Sequence, residues 1–133
     1  MANVHIIKNT TCEAVLKCYL TDSAGGNVDI DISTLALANE TYVEGTSSAT
    51  LKALYWGVRN TKHIDITRLI TPANNQVHGH YYLTNSGNYV FQGFVDNVYS
   101  EKNIRIVADG AFHTILVLSK NGFTINPPYI GSN

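Results

Sequence analysis

Apolar residues recur at every second position over residues 14–20, where Ala14, Leu16, Cys18 and Leu20 alternate with Val15, Lys17 and Tyr19, which predicts a strand with its even positions toward a core. A short apolar segment, Val4 to Lys8, precedes it. Asp22-Ser23-Ala24-Gly25-Gly26 is dense in residues that tolerate a positive φ, and Val28, Ile30 and Ile32 then alternate with Asn27, Asp29, Asp31 and Ser33. That pattern predicts a hairpin with a solvated face. Between Thr34 and Ser48 the pattern loosens to a helical turn at Leu35-Ala36-Leu37 and a polar loop at Gly45-Thr46-Ser47-Ser48. Ala49 to Val58 is apolar on both phases, as a central strand would be, and Ile64 and Ile66 mark a half-buried strand after the turn Asn60-Thr61-Lys62.

Thr71 to Gln76 breaks the ladder, because Pro72 has no backbone donor and the Asn74-Asn75 pair favours a turn. A further hairpin is expected from Val77–Leu83 and Asn88–Phe91 around Thr84-Asn85-Ser86-Gly87, and another from Ile104–Val107 and Thr114–Leu118. Gly93 to Asn103 fits either a strand or a winding connection. About eight strands spaced roughly 8–15 residues apart predict an all-β chain, an antiparallel β-sandwich or jelly-roll-like single domain over residues 1–133. Its termini, 1–9 and 124–133, read as extended segments.

Composition agrees. Val, Ile, Thr, Tyr, Phe and Trp supply 49 of 133 residues, while Glu and Met number four and one. Charged residues are only 14%, well under the roughly 25% of an average domain, so the surface must be polar and largely uncharged. A net charge of -1 leaves no electrostatic footprint for a phosphate backbone, and nucleic acid is not an expected partner. No apolar run approaches the roughly 18 residues of a membrane span, and the N-terminus lacks the plan of a signal peptide. Cys12 and Cys18, about 20 Å apart if on one strand, read as free thiols packed in or near the core.

Chemistry-bearing patterns are sparse. His78-Gly79-His80 could aim two imidazoles one way, about 7 Å apart, yet residues 81–86 supply no third ligand, so a solvated strand face is the better reading and neither metal nor cofactor is expected. His5, His63 and His113 stand singly. No Gly-x-Ser-x-Gly turn or Cys-His neighbour offers a nucleophile, and Asp29, Asp31, Asp65, Asp96 and Asp109 form no evident acid–base pair, so an enzyme is not expected. The aromatic residues Tyr81, Tyr82, Tyr89, Phe91, Phe94 and Tyr99 suit a core or subunit interface; Tyr81, Tyr82 and Tyr89 also suit a glycan platform.

The segment order Ala14–Gly26 into Val28–Asp31, then Ala49–Val58 with Trp56, then Asn103–Val107 through His113–Gly122, resembles that of small virion structural proteins of tailed bacteriophages, of the cyanophage type. The resemblance carries no catalytic residue. It implies a capsid decoration or cement protein on the phage head surface, made in the host cytoplasm, with the major capsid protein as partner and with self-association, for which a trimer would suit threefold positions. On that reading the lattice contacts are sought in the termini, at Val4, His5 and Ile6 and at Pro127, Pro128, Tyr129 and Ile130. The alternatives are a neck or tail component, or a carbohydrate-binding module of a host-adhesion device.

Overall fold

The structure, a computed structural model, describes residues 2–69, 77–91 and 103–126, and the stretches of period-two alternation among them become strands. In chain order the strands are β1 (Ala2–Asn9), β2 (Glu13–Leu20), β3 (Gly26–Asp31), β4 (Glu40–Thr41), β5 (Ser48–Val58), β6 (His63–Leu69), β7 (Val77–Thr84), β8 (Ser86–Val90), β9 (Asn103–Ala108), β10 (Phe112–Asn121) and β11 (Thr124–Ile125). The described residues contain no α-helix. One 3-10 turn, Ile32–Leu35, starts where the Asp31 carboxylate accepts the Ser33 N–H at 3.0 Å. It lies three residues before the turn expected at Leu35-Ala36-Leu37.

Two sheets face each other, one ordered β1-β2-β10-β5-β8 and the other β3-β9-β6-β7, and all their pairings are antiparallel. The eight longer strands from β2 to β10 pair first with eighth (β2·β10), second with seventh (β3·β9), third with sixth (β5·β8) and fourth with fifth (β6·β7). A long antiparallel ribbon rolled up in this way is a jelly roll. Three of the expected hairpins are therefore something else. β2 and β3, β7 and β8, and β9 and β10 lie in opposite sheets, so each of those turns is an arch that crosses the sandwich. Gly25 (φ 86°), Thr61 (φ 67°) and Asn85 (φ 58°) take the left-handed conformation at three of the crossings. The arches interlock: Val58 N–H donates to Asn85 O at 2.7 Å and Arg59 N–H to Ala111 O at 3.2 Å, while a Cβ at Gly25 would stand 2.3 Å from Ala108 O.

Between the sheets lies a core that includes Leu16, Leu54, Leu116 and Leu118 from one side and Ile30, Ile64, Ile66, Ile104 and Ile106 from the other. β5 is central, as expected, but its two apolar phases have a different cause. A bulge at Lys52 shifts the register between Val117↔Ala53 and Leu118↔Leu51, so Ala49 and Leu51 face inward before it and Leu54, Trp56 and Val58 after it. The ends are also less free than their sequence implies. β1 is a paired edge strand, and Thr124–Asn126 folds back so that Asn126 N–H donates to Asn39 O at 2.7 Å. Pro127, Pro128, Tyr129 and Ile130 lie outside the described residues, as do Phe94, Asp96 and Tyr99.

Cys18 is buried and Cys12, in the β1–β2 turn, is exposed, which corrects the expectation that both pack at the core. Burial pushes the Cys18 thiol up to about 12. With 5,5′-dithiobis(2-nitrobenzoate) at pH 8 the native chain is expected to show one fast thiol, lost in Cys12→Ser, and a second only on unfolding; two fast thiols would refute this placement.

Candidate functional site

The two sheets turn very different outer faces to solvent. On the four-stranded sheet the outward row Asp29↔Arg105↔Thr67 carries a two-point ion pair, Arg105 Nε donating to Asp29 Oδ1 at 2.7 Å and its Nη2 to Oδ2 at 3.2 Å. Asp29 raises the Arg105 pKa further. The next row, Asn27↔Val107↔Asp65↔Tyr82, is polar apart from Val107 and the Tyr82 ring. Among the described residues this face is mostly polar.

The five-stranded sheet differs. Register places Val15 opposite Val117, Val117 opposite Ala53 and Ala53 opposite Val90, with Ile7 at the β1 bulge beside them. The next row, His5↔Lys17↔Ile115↔Tyr55↔Asn88, adds Ile115 and Tyr55 between polar neighbours. The result is an apolar strip across all five strands, in which Ile7, Tyr55 and Val90 are 57%, 42% and 48% exposed. One end of the strip is closed by charge: Glu13 accepts Lys52 at 2.8 Å and Lys8 at 3.3 Å, and these bonds, that from Lys52 foremost, hold its carboxyl below the usual range. An apolar strip on the outer face of a sandwich has no role in the core and loses free energy by standing in water.

The terminal residues read as a contact divide by pleat. His5 stands on this outer face, its ring stacked on Tyr19 at 5.6 Å with Nε2 3.3 Å from the Tyr19 hydroxyl. Val4 and Ile6 pair with Cys18 and Leu16 and so point to the inner side. There they remain exposed, over a cleft of about 320 Å³ that Asp29, Ile30 and Leu35 also line.

The tyrosines divide in the same way. Tyr81 and Tyr89 come from opposite sheets and meet at 6.1 Å, with Phe91 and Trp56 beside them, and Trp56 Nε1 donates to Thr84 O at 2.9 Å. This group fills the gap between β7 and β8, with Trp56 and Tyr89 neighbours across β5 and β8 of one sheet and Tyr81 reaching them from the other. Tyr82 is on the other face of β7, stacked on His63 at 4.5 Å, so the three tyrosines share no platform. Asp109 clamps His63: its Oδ2 lies 3.2 Å from Nδ1 and its Oδ1 accepts the His63 backbone N–H at 2.8 Å, the bond chiefly responsible for its lowered pKa. That clamp ties one arch to another. The side chains of His78 and His80 lie outside the described residues; the ladder is irregular there, Thr67 pairing with His80 and Arg68 with His78. Among the described residues no three His, Cys, Asp or Glu side chains gather as a metal site would need.

Sequence reasoning missed the strip, although Thr114-Ile115-Leu116-Val117-Leu118 carried its signal. A strand apolar on both phases, in a two-layer sandwich, has to expose one of them. No protein-family model matches the chain, and no curated protein matches it either.

Proposed function

We propose that the chain is a non-enzymatic virion structural protein, a capsid decoration or cement protein that lays the outer face of its five-stranded sheet on the major capsid protein lattice of a tailed phage. The observation that carries this reading is the contrast between that apolar face and the polar outer face of the other sheet. It adds to the segment order of the sequence and to the jelly-roll pairing, a fold that capsid domains share with lectins and cupins.

Such a protein acts by linkage. Whatever binds only the assembled lattice stabilises it by mass action, and weak contacts add up when several copies are joined, as a trimer on a threefold axis would join them. A rigid sandwich favours this use because little conformational entropy is lost on docking.

The test is to add purified protein to heads stripped of it and count bound copies. Hundreds per particle, at a fixed ratio to the shell protein and with restored resistance to heat, are expected. A dozen or fewer would move the protein to the vertex, neck or tail, and no binding would overturn the reading.

A further inference from the structure

Cationic side chains in this protein number nine, and four of the described ones are neutralised. Lys8, Lys52, Arg105 and Lys120 each pair with a carboxylate. Lys17 and Arg59, like Lys62, make no ion pair among the described residues, and Lys17 and Arg59 line two adjoining depressions that together form a groove. Two depressions of about 600 and 670 Å³ adjoin on the outer side of the five-stranded sheet, near its arches, and share Thr21, Phe112 and His113. Arg59 lines the first and Lys17 the second; His5 joins Lys17, and His113 belongs to both. Among the described residues no Asp or Glu lines either one. In a chain of net charge -1, the gathering of two unpaired cations and two imidazoles without an acid is a local positive site.

The rest of the groove defines what else the ligand carries. Its floor is flat: His113 lies across Gly57, where a Cβ would stand 2.8 Å from the imidazole Cε1, and Tyr19 is stacked parallel to His5. Asn60, Asn85 and Ser86 add neutral hydrogen-bonding groups. Planar rings beside amides and hydroxyls suit a ring-shaped ligand rich in hydroxyl groups. A peptide is poorly served, because β2, β10 and β5 lie inside the sheet and their ladders are occupied on both sides, so no strand can be added there. We propose that this groove binds a carboxylated oligosaccharide, with one acidic group toward Arg59 and another toward Lys17. The Arg59 guanidinium matches a carboxylate in two-point geometry, and Lys17 serves as a point charge. The inference does not depend on the proposed role in the capsid, and because Lys17 shares a register row with Ile115 and Tyr55, the groove is open only while that face is undocked.

Titration of the whole chain with a panel of uronate and sialate oligosaccharides, followed by NMR, tests it. Saturable shifts at Lys17, Tyr19, Arg59 and His113 are expected, with the neutral sugar of equal length at least about tenfold weaker. Lys17→Ala and Arg59→Ala should each weaken binding about tenfold without changing the melting temperature, while Arg105→Ala on the other sheet should leave binding unchanged. The proposal is overturned if no carboxylated saccharide in the panel binds, if Lys17→Ala and Arg59→Ala bind as the parent does, or if hexaglutamate competes equally well.

Discussion

Replacing Lys120 with methionine is expected to destabilise the protein by about 3–5 kcal/mol, because it leaves a buried carboxylate without its partner. Lys120 and Glu40 side chains are 0% and 1% exposed, with Nζ 2.6 Å from Glu40 Oε1. The ammonium also donates to Thr10 O at 2.9 Å and Asn9 Oδ1 at 3.0 Å and lies 4.9 Å from the centre of the Phe123 ring, while Glu40 Oε1 accepts the Leu37 N–H at 2.9 Å. One cation thus joins the end of β1, the 36–41 loop and the end of β10, and positions the β4·β11 pairing. Glu40→Gln should cost nearly as much, since it strands the ammonium instead. The double variant Lys120→Met/Glu40→Leu should recover a large part of either loss, because two apolar groups carry no desolvation penalty. Urea unfolding of all four proteins measures the coupling. A loss under about 1 kcal/mol in both single variants would mean that the pair behaves as a solvated one.

That pair was invisible in the sequence for a simple reason: 80 residues separate its members, and nothing local marks Glu40 or Lys120 as buried. What was legible is local. Alternation at Ala14–Leu20 and at Val28 and Ile30 identified strands and their inward phase, and Asp22–Gly26 and Asn85 identified reversals. A reversal, however, says only that the chain turns. Whether the next strand joins the same sheet or crosses to the other depends on which pairing buries both apolar phases, and β2 finds its neighbours in β1 and β10, more than a hundred residues apart in the chain. Hence three arches were read as hairpins, while the fold class was read correctly from the same residues.

The bulge at Lys52 was hidden by similar logic. Leu51, Ala53, Leu54 and Trp56 fit a strand buried on both faces as well as one that changes phase midway, and only the partner strand's register separates the two. The outer face of the five-stranded sheet shows the reverse case. Tyr55, Ile115 and Val117 were legible as apolar, but which of their phases faces water is a property of the sandwich and not of any strand. The terminal grouping of Val4, His5 and Ile6 spans both faces of β1, because neighbouring residues on a strand point to opposite sides.

Tyr55→Ala is expected to weaken binding to the phage shell by about 2 kcal/mol, roughly 30-fold per contact, while the folded protein loses little. Tyr55 is 42% exposed and sits beside Ile115 in the middle of the strip, where a large aromatic ring would be covered most completely by a docked surface. Val107→Ala supplies the comparison. Val107 is 40% exposed on the outer face of the other sheet, so its loss removes a similarly placed apolar group from a face that the docking reading leaves in solvent. Copies bound per stripped head, measured across protein concentration, should fall for Tyr55→Ala and stay at the parental value for Val107→Ala. Equal losses in both would trace to folding rather than docking, and two unchanged curves would remove the five-stranded face from the interface. The difference between the variants, more than either alone, decides whether an apolar strip kept in water through folding is covered on the shell, because only a bound partner returns the free energy that its exposure costs.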